Sequence, residues 1–411
     1  MKILMINVLY PPHRVGGAEK AVATLAEALA RAGEEVAVAT LDDIPQPTRS
    51  VERGVTVHRL PMDNIYWPYG DVDAGRSRLQ RLRWHWNNRW NRQAAVRIGE
   101  LIDAERPDVV HCHVLTGFSV AVWQEVKRRG IPLVQTLHDY AVICTRSALF
   151  KNGATCERRC TECVLLTSPG KRASAMVDQL VSISHFVIAA HQKEGYFAGV
   201  PARRIFNIVP VTPHERTARP DDAPLVFGFI GRVEAEKGIE VVLAACERIK
   251  DRDWQLKIAG VGVSAYVEDL KRRYPDPRIE WLGYTVADSF YASIDVLLMS
   301  SVWPEPLSLT LIEALTHRLG AICAQSGGVP EIADLPRKSI SYPATDDAAL
   351  ASAMMTAIAE RADWRKGGLA PGTDLAIFSE REIVRANRAV YLDAVGAGAP
   401  AAVTSQGSTG R

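Results

Sequence analysis

The sequence predicts an α/β protein built of two Rossmann-like, doubly wound domains that face each other across a cleft. Three observations predict this. Strand-like apolar runs alternate with helical ones, the alternation occurs twice, and a proline-rich charged segment, "TPHERTARPDDAP" at 212–224, separates the two sets. Alternation of this kind implies a parallel sheet covered by helices on both faces. The expected division is a first domain at 1–211, a second at 212–375, a helix at 376–396 that crosses back to the first domain, and a disordered tail at 397–411.

In the first set, "KILMINVLY" reads as a strand and leads through Gly16-Gly17 into the helical "AEKAVATLAEALARAG". The strands "EVAVATL" and "VTVHRLP" follow, then one long polar-aromatic helix, "DVVHCHV", a further helix and "PLVQTLHD". The second set runs "PLVFGFIGRV", "KGIEVVLAACERIK", "WQLKIAGVG", "VEDLKRRYP", "IEWLGY", "IDVLLMSS", a helix within "SLTLIEALTHRLG", and "GAICAQS". Ser379 and Glu382 form a capping box that opens the last helix. The closing "GAGAPAAVTSQGSTGR" is small and polar, which gives it little to bury.

Composition bounds the function. A chain of 411 residues, 47% hydrophobic and 23% charged, is long enough for two separate cores. A formal net charge of +2 gives no reason to expect a nucleic-acid partner. The apolar run at the start ends in a proline pair and is too short for a signal peptide or a membrane span, so a cytosolic protein is expected. Seven cysteines, an odd number, do not suggest a disulfide framework.

The stretch "EPLSLTLIEAL" at 305–315 carries the chemistry. Prolines stop regular structure before it, so Glu305 should sit on a strand-to-helix loop and Glu313 about two turns into the helix. Between them lie the free N–H groups of a helix N-terminus, which suit a diphosphate. The spacing, on the order of 10 Å, brackets a diphosphate with a hydroxylated ring at each end. Read alone, the stretch fits two solvated glutamates equally well. In "GRVEAEKG", Arg232 follows a strand and Lys237 opens the next helix, a cationic pair for a diphosphate or else two surface charges. "GGVPEI" at 327–332 adds a glycine pair that permits close backbone approach.

"GRVEAEKG", "EPLSLTLIEA" and "SGGVPEI", in this order and spacing, resemble the retaining nucleotide-sugar glycosyltransferases of family 4, which have the GT-B fold. "VLYPPHRVGGAEKAVATLAEALARAG" and "PDVVHCHV" are similar to that family too, so the resemblance covers nearly the whole chain. It implies that Arg232 and Lys237 neutralise the donor diphosphate, that Glu305 lies against the transferred sugar, and that Glu313 holds the ribose hydroxyls. It places Gly231, Leu307, Ser308 and Leu309 around the donor, His138 of "TLHD" opposite the sugar, and the Gly16-Gly17 turn near the donor phosphates or the acceptor. Ser308 departs from the glycine usual in the family, and "FNIVPVTP" replaces its Asn-Gly-Val. No Asp-x-Asp metal motif accompanies the diphosphate loop, so no catalytic metal is expected. The family implies same-face attack with retention, and an acceptor glycan that is often carried on a polyprenyl diphosphate.

Two features lie outside that scheme. Cys144, Cys156, Cys160 and Cys163 fall within twenty residues, a spacing that suits a structural zinc; an iron–sulfur cluster or reduced thiols are the alternatives. On the cysteines alone, a metal- or redox-responsive sugar-nucleotide-binding protein without transferase activity is the competing reading. Cys112, Cys246 and Cys323 sit in apolar runs and should be buried. In "RSRLQRLRWHWNNRWNR" at 76–92, Leu79, Leu82, Trp86 and Trp90 follow helical spacing among six arginines. That apolar face is expected to pack on the first domain, while the arginines point to an anionic acceptor or to the cytoplasmic membrane surface.

Overall fold

A computed structural model describes residues 1–13, 16–69, 75–210, 219–220 and 222–398. Most of the expected linker and almost all of the expected tail lie outside the described residues. The strands are β1 (Lys2–Ile6), β2 (Glu35–Asp42), β3 (Thr48–Glu52), β4 (Val55–Pro61), β5 (Val109–Cys112), β6 (Leu133–Leu137), β7 (Phe150–Lys151), β8 (Ala154–Thr155), β9 (Gln179–Ser182) and β10 (Ala202–Arg204). They continue as β11 (Leu225–Ile230), β12 (Trp254–Ala259), β13 (Ile279–Gly283), β14 (Val296–Met299), β15 (Gly320–Ala324) and β16 (Ser339–Tyr342).

The first sheet has the order β10-β9-β6-β5-β1-β2-β4-β3, parallel except for β3, which pairs antiparallel with β4. The second has the order β13-β12-β11-β14-β15-β16 and is parallel throughout. β7 and β8 form a separate small hairpin within the cysteine segment. Strands such as β14 (VLLM) and β15 (GAICA) are buried along their whole length, because helices cover both faces of the sheet. Strand order reverses between β1 and β5, and again between β11 and β14. Ligands bind at the carboxyl ends of strands beside such reversals. The Gly16-Gly17 turn, the "GRVEAEKG" loop and the "EPLSL" loop all leave from those points.

The helix Glu380–Gly398 lies on the first domain. Its Tyr391 hydroxyl is 2.8 Å from His111 Nδ1, and ion pairs join Glu380 to Arg31 (2.7 Å), Asp393 to Arg203 (2.6 Å) and Arg388 to Glu34 (2.7 Å). The two domains also touch at the cleft. The Tyr140 hydroxyl donates to the Pro304 carbonyl (2.7 Å), and Glu331 accepts from the backbone N–H groups of His185 and Phe186 while pairing with Arg204.

The expected long polar-aromatic helix is two helices, Arg78–Arg89 and Arg92–Glu105. Asn91 breaks it: its side chain caps the second helix at Ala94 N–H and donates to the carbonyls of Asp63 and Gly117. Those bonds are incompatible with a continuous helix at Asn91. The expected packing face is also corrected. Trp84 is the buried tryptophan and its Nε1 donates to the Tyr66 carbonyl; of the expected face Trp90 packs on the first-domain core, whereas Leu79, Leu82 and Trp86 face outward. Among the described residues no helix is long and apolar enough to cross a membrane.

Candidate active site

Two loops of the second domain lock onto each other. Gly238, at φ 72°, follows Lys237, and a Cβ there would fall 1.8 Å from the Ser300 carbonyl oxygen. Ser300 Oγ in turn donates to the Lys237 carbonyl, and the N–H of Val302 to that of Glu236. Only glycine permits this approach in this backbone conformation, and the result places Lys237 beside Glu305. Glu305 is buried, and its Oε2 accepts from Lys237 Nζ (2.7 Å), Ser301 Oγ (2.8 Å) and Trp303 Nε1 (2.8 Å). Lys237 Nζ also lies 5.1 Å from the Trp303 ring centroid. The glycine pair of "GGVPEI" wraps the same residue: Gly328 N–H donates to the Glu305 carbonyl (2.7 Å), and Gly327 has φ 58° with its Cα against the Glu305 backbone.

Arg232 is placed differently from Lys237. Its guanidinium pairs with Glu234 (2.6 Å) and Glu236 (3.0 Å) of its own loop. Gly231 packs its carbonyl against Gly260, where a Cβ would fall 1.7 Å away. Glu313 lies on the helix Leu309–Thr316 and accepts from the buried Tyr291 hydroxyl at 2.9 Å. Ser308, in place of the glycine expected by resemblance, caps that helix by accepting from Leu311 N–H (3.1 Å). Leu307 is buried beneath the loop. Across the cleft, a Cβ on Gly17 would fall 3.1 Å from Leu309 Cδ1, so the Gly16-Gly17 turn meets the start of this helix. Gly16 N–H donates to Glu19.

His138 stands at the carboxyl end of β6, with Nε2 3.0 Å from His113 Nδ1 and the two rings stacked. Burial pushes the His138 imidazole down to about 4 and His113 well below its ordinary value, so both are neutral at physiological pH. His138 Nδ1 is buried with no hydrogen-bond partner among the described residues. Behind them, His111 bonds Thr136 (2.7 Å) and the Tyr391 hydroxyl, which ties the histidine stack to the last helix.

Two residues were missed by the sequence reading. Asp139, the residue after His138, is raised to about 6 by burial, opposed by the Ala141 N–H and assisted by the Glu19 carboxylate. Its signal was present in "TLHD". Tyr284 projects from the carboxyl end of β13 as an exposed ring near exposed Val261 and Val286. An aromatic residue just past a strand of the second sheet was a usable signal.

Of the four clustered cysteines, the structure brings Cys144 and Cys163 together, Sγ to Sγ 3.9 Å, with backbone N–H groups of Arg146, Ala148 and Leu149 directed at Cys144. Cys156 and Cys160 are partly exposed on the same segment. Among the described residues no group of three or more His, Cys, Asp or Glu is positioned to hold a metal ion. Cys112, Cys246 and Cys323 are buried.

Comparison with known proteins decides the family. Residues 16–206 match the glycosyl transferase 4-like domain, and residues 224–360 match glycosyl transferases group 1. An uncharacterised 42.6 kDa protein in the cps region of Klebsiella pneumoniae is 30% identical over 339 residues, covering 81% of this chain and 89% of that protein. The chain belongs to the GT-B glycosyltransferases. Sucrose-phosphate synthase from Thermosynechococcus elongatus superposes with a TM-score of 0.72 at 19% identity, over 96% of this chain and 99% of that one. The catalytic domain of starch synthase IV from Arabidopsis thaliana, bound to ADP and acarbose, gives 0.66 at 15% identity, over 96% and 99%. Membership of this glycosyltransferase family gives no support to the binding module without transferase activity.

Proposed function

We propose that this glycosyltransferase moves a sugar from a nucleoside-diphosphate sugar to a glycan acceptor with retention at the anomeric carbon. The observation that carries the reading is the Lys237–Glu305 pair, held at 2.7 Å beside the capped start of the helix bearing Glu313. Donor entry exchanges that pair for new partners. The Lys237 ammonium and the N–H groups at the start of the helix meet the diphosphate, with Arg232 leaving its loop acids to join them. Glu305 meets the hydroxyls of the transferred sugar. Glu313, oriented by Tyr291, receives the ribose hydroxyls, and Tyr284 offers a ring to the base. Fixed cations and N–H dipoles stabilise the leaving diphosphate, the role a metal ion plays elsewhere.

On the acceptor side, neutral His138 hydrogen-bonds the sugar, and ionised Asp139 accepts a hydrogen bond from an acceptor hydroxyl beside the one that reacts. The reacting hydroxyl attacks the anomeric carbon from the face the diphosphate leaves as the carbon–oxygen bond to the diphosphate breaks, and a diphosphate oxygen receives its proton. The relative in a cps region supports an acceptor in cell-surface polysaccharide synthesis; our reading of that acceptor is a saccharide carried on a polyprenyl diphosphate at the cytoplasmic membrane face. We also propose that the cysteine segment closes on one structural zinc. The 3.9 Å between Cys144 and Cys163 is close to the edge of a thiolate tetrahedron, about 3.8 Å for Zn–S bonds of about 2.3 Å. Cys156 and Cys160 would complete it.

Calorimetric titration with UDP-, GDP-, ADP- and dTDP-sugars tests the donor site. One donor should bind, and Glu313→Ala should weaken it about tenfold or more, the scale of a lost charge-assisted hydrogen bond. Equal affinity in the variant removes Glu313 from the site. The anomeric coupling constant of the product separates retention from inversion.

A further inference from the structure

The helices Arg78–Arg89 and Thr161–Ala173 lie side by side on the first domain, joined where Arg89 donates to Ser168 Oγ at 2.9 Å. Each turns an apolar residue pair or triplet away from the protein. Leu79 is 74% exposed, Leu82 52% and Trp86 52% on the first; Val164 is 48% exposed and Leu165 51% on the second. The inward residues are different ones: Trp84 on the first helix, and Cys163, Leu166 and Gly170 on the second. Arg89 links the two exposed sets: its guanidinium lies 5.0 Å from the Trp86 ring centroid and bonds Ser168, one turn beyond Leu165. Isolated exposed leucines need no explanation, but a joined apolar patch with a tryptophan at its centre does.

Charge identifies what covers it. Arg78, Arg81, Arg83, Lys171 and Arg172 are all exposed around the patch, whereas the acids on these two helices reduce to Glu162. An acidic protein surface would meet the arginines but would leave five large apolar side chains to be matched individually. An anionic lipid leaflet meets both, with phosphates for the arginines and the acyl boundary for Leu79, Leu82 and Trp86.

We infer that the first domain docks on an anionic bilayer surface through this two-helix patch. The inference deepens the lipid-linked acceptor reading, which it uses only to explain why docking helps. A small cavity of about 100 Å³ lies between the two helices, walled by Trp84, His85 and Arg89 of one and Leu166 of the other. It is also lined by Ala141 and Val142, which follow His138 and Asp139 in the chain, and the Nε of Arg89, another lining residue, is buried without a partner among the described residues. Docking therefore sets the membrane next to the segment that follows His138 and Asp139 in the chain.

The test is co-sedimentation of the full chain with vesicles of phosphatidylcholine alone or mixed with phosphatidylglycerol, at low and high salt. Binding is expected on the anionic vesicles only, and to weaken with salt. A Leu82→Glu/Trp86→Glu variant should lose at least about tenfold in partitioning, and Arg78→Gln or Arg81→Gln roughly fivefold each, about the worth of one cation near such a surface. Circular dichroism and donor calorimetry on each variant confirm that the fold and the donor site are unchanged. Wild type that ignores anionic vesicles overturns the inference while intact donor binding leaves the transferase reading standing. Equal binding to neutral vesicles overturns it, as does a dimer in sedimentation velocity that Leu82→Glu/Trp86→Glu dissolves.

Discussion

The donor-side loops and the cysteine segment are both short, irregular and rich in functional side chains, yet they are held in opposite ways. Around Lys237 and Glu305 the backbone is over-determined: a positive-φ glycine presses on Ser300, a serine hydroxyl binds the Lys237 carbonyl, and three donors converge on one carboxylate oxygen. The segment from 141 to 163 has a hairpin of two two-residue strands, one close thiol pair, and one arginine, Arg159, that donates to the Ile143 and Cys163 carbonyls. The first region is positioned by the chain alone. On the reading proposed above, zinc closes the second.

The largest effect that separates them is on turnover. Lys237→Ala should lower kcat by roughly 10²- to 10³-fold, the usual cost of losing one preorganised donor to a leaving group. It leaves a buried Glu305 still bonded to Ser301 and Trp303, so the fold should survive. Steady-state kinetics beside a melting curve decides the matter. Unchanged kcat in a folded variant would remove Lys237 from the chemistry, and activity surviving EDTA in the wild type is the companion expectation.

This contrast also explains what could be read from the sequence. The two parallel sheets, the loops at their carboxyl ends and the positions of Lys237, Glu305 and Glu313 were legible, because glycines, prolines and a serine cap constrain the local chain wherever it folds. The pairing of Lys237 with Glu305 was not, since a side chain 68 residues away is invisible to local pattern. The same holds for Arg232 and its loop acids, and for Trp84, whose inward turn depends on a carbonyl at Tyr66. Asn91 shows the limit most directly: helical periodicity ran through it, and bonds to Asp63 and Gly117 broke the helix there. Asp139 stood in plain view, but burial gave it its character, and burial is a property of the assembled domain.

The cysteine segment offers the next effect. Purified protein should carry about one zinc per chain by elemental analysis, and Cys144→Ser should lose it. Metal binding is folding free energy for the segment it closes, so the melting temperature should fall on the order of 5 °C for a loss of one or two kcal/mol. Donor affinity should change far less, since no donor-site residue belongs to that segment. Metal-free wild type with full stability would return the four cysteines to plain thiols.

The smallest effect lies on the pH axis, where two neighbours titrate in opposite senses. Asp139, near 6 when folded against an ordinary 3.8, binds more protons in the native state between those values. Its contribution therefore weakens the fold as pH rises from about 4 to 6. His138, near 4 when folded against 6.5, binds fewer, so its contribution strengthens the fold over the same rise and is lost as pH falls through that window. The two partly offset each other, and buried neutral His111, His113 and His191, which the unfolded chain protonates as pH falls below about 6.5, lower stability in acid. Activity has no such cancellation. As pH drops through about 6, Asp139 gains a proton and loses the hydrogen bond it accepts, while His138 is unchanged until about 4. A single limb in kcat/KM near pH 6 should thus appear on top of a gradual acid decline in melting temperature set by the histidines. Asp139→Asn should erase that limb and steepen the acid decline in melting temperature, because only the histidines then titrate there. A limb that persists in Asp139→Asn assigns the titration to another group and leaves Asp139 a buried carboxyl held by Ala141.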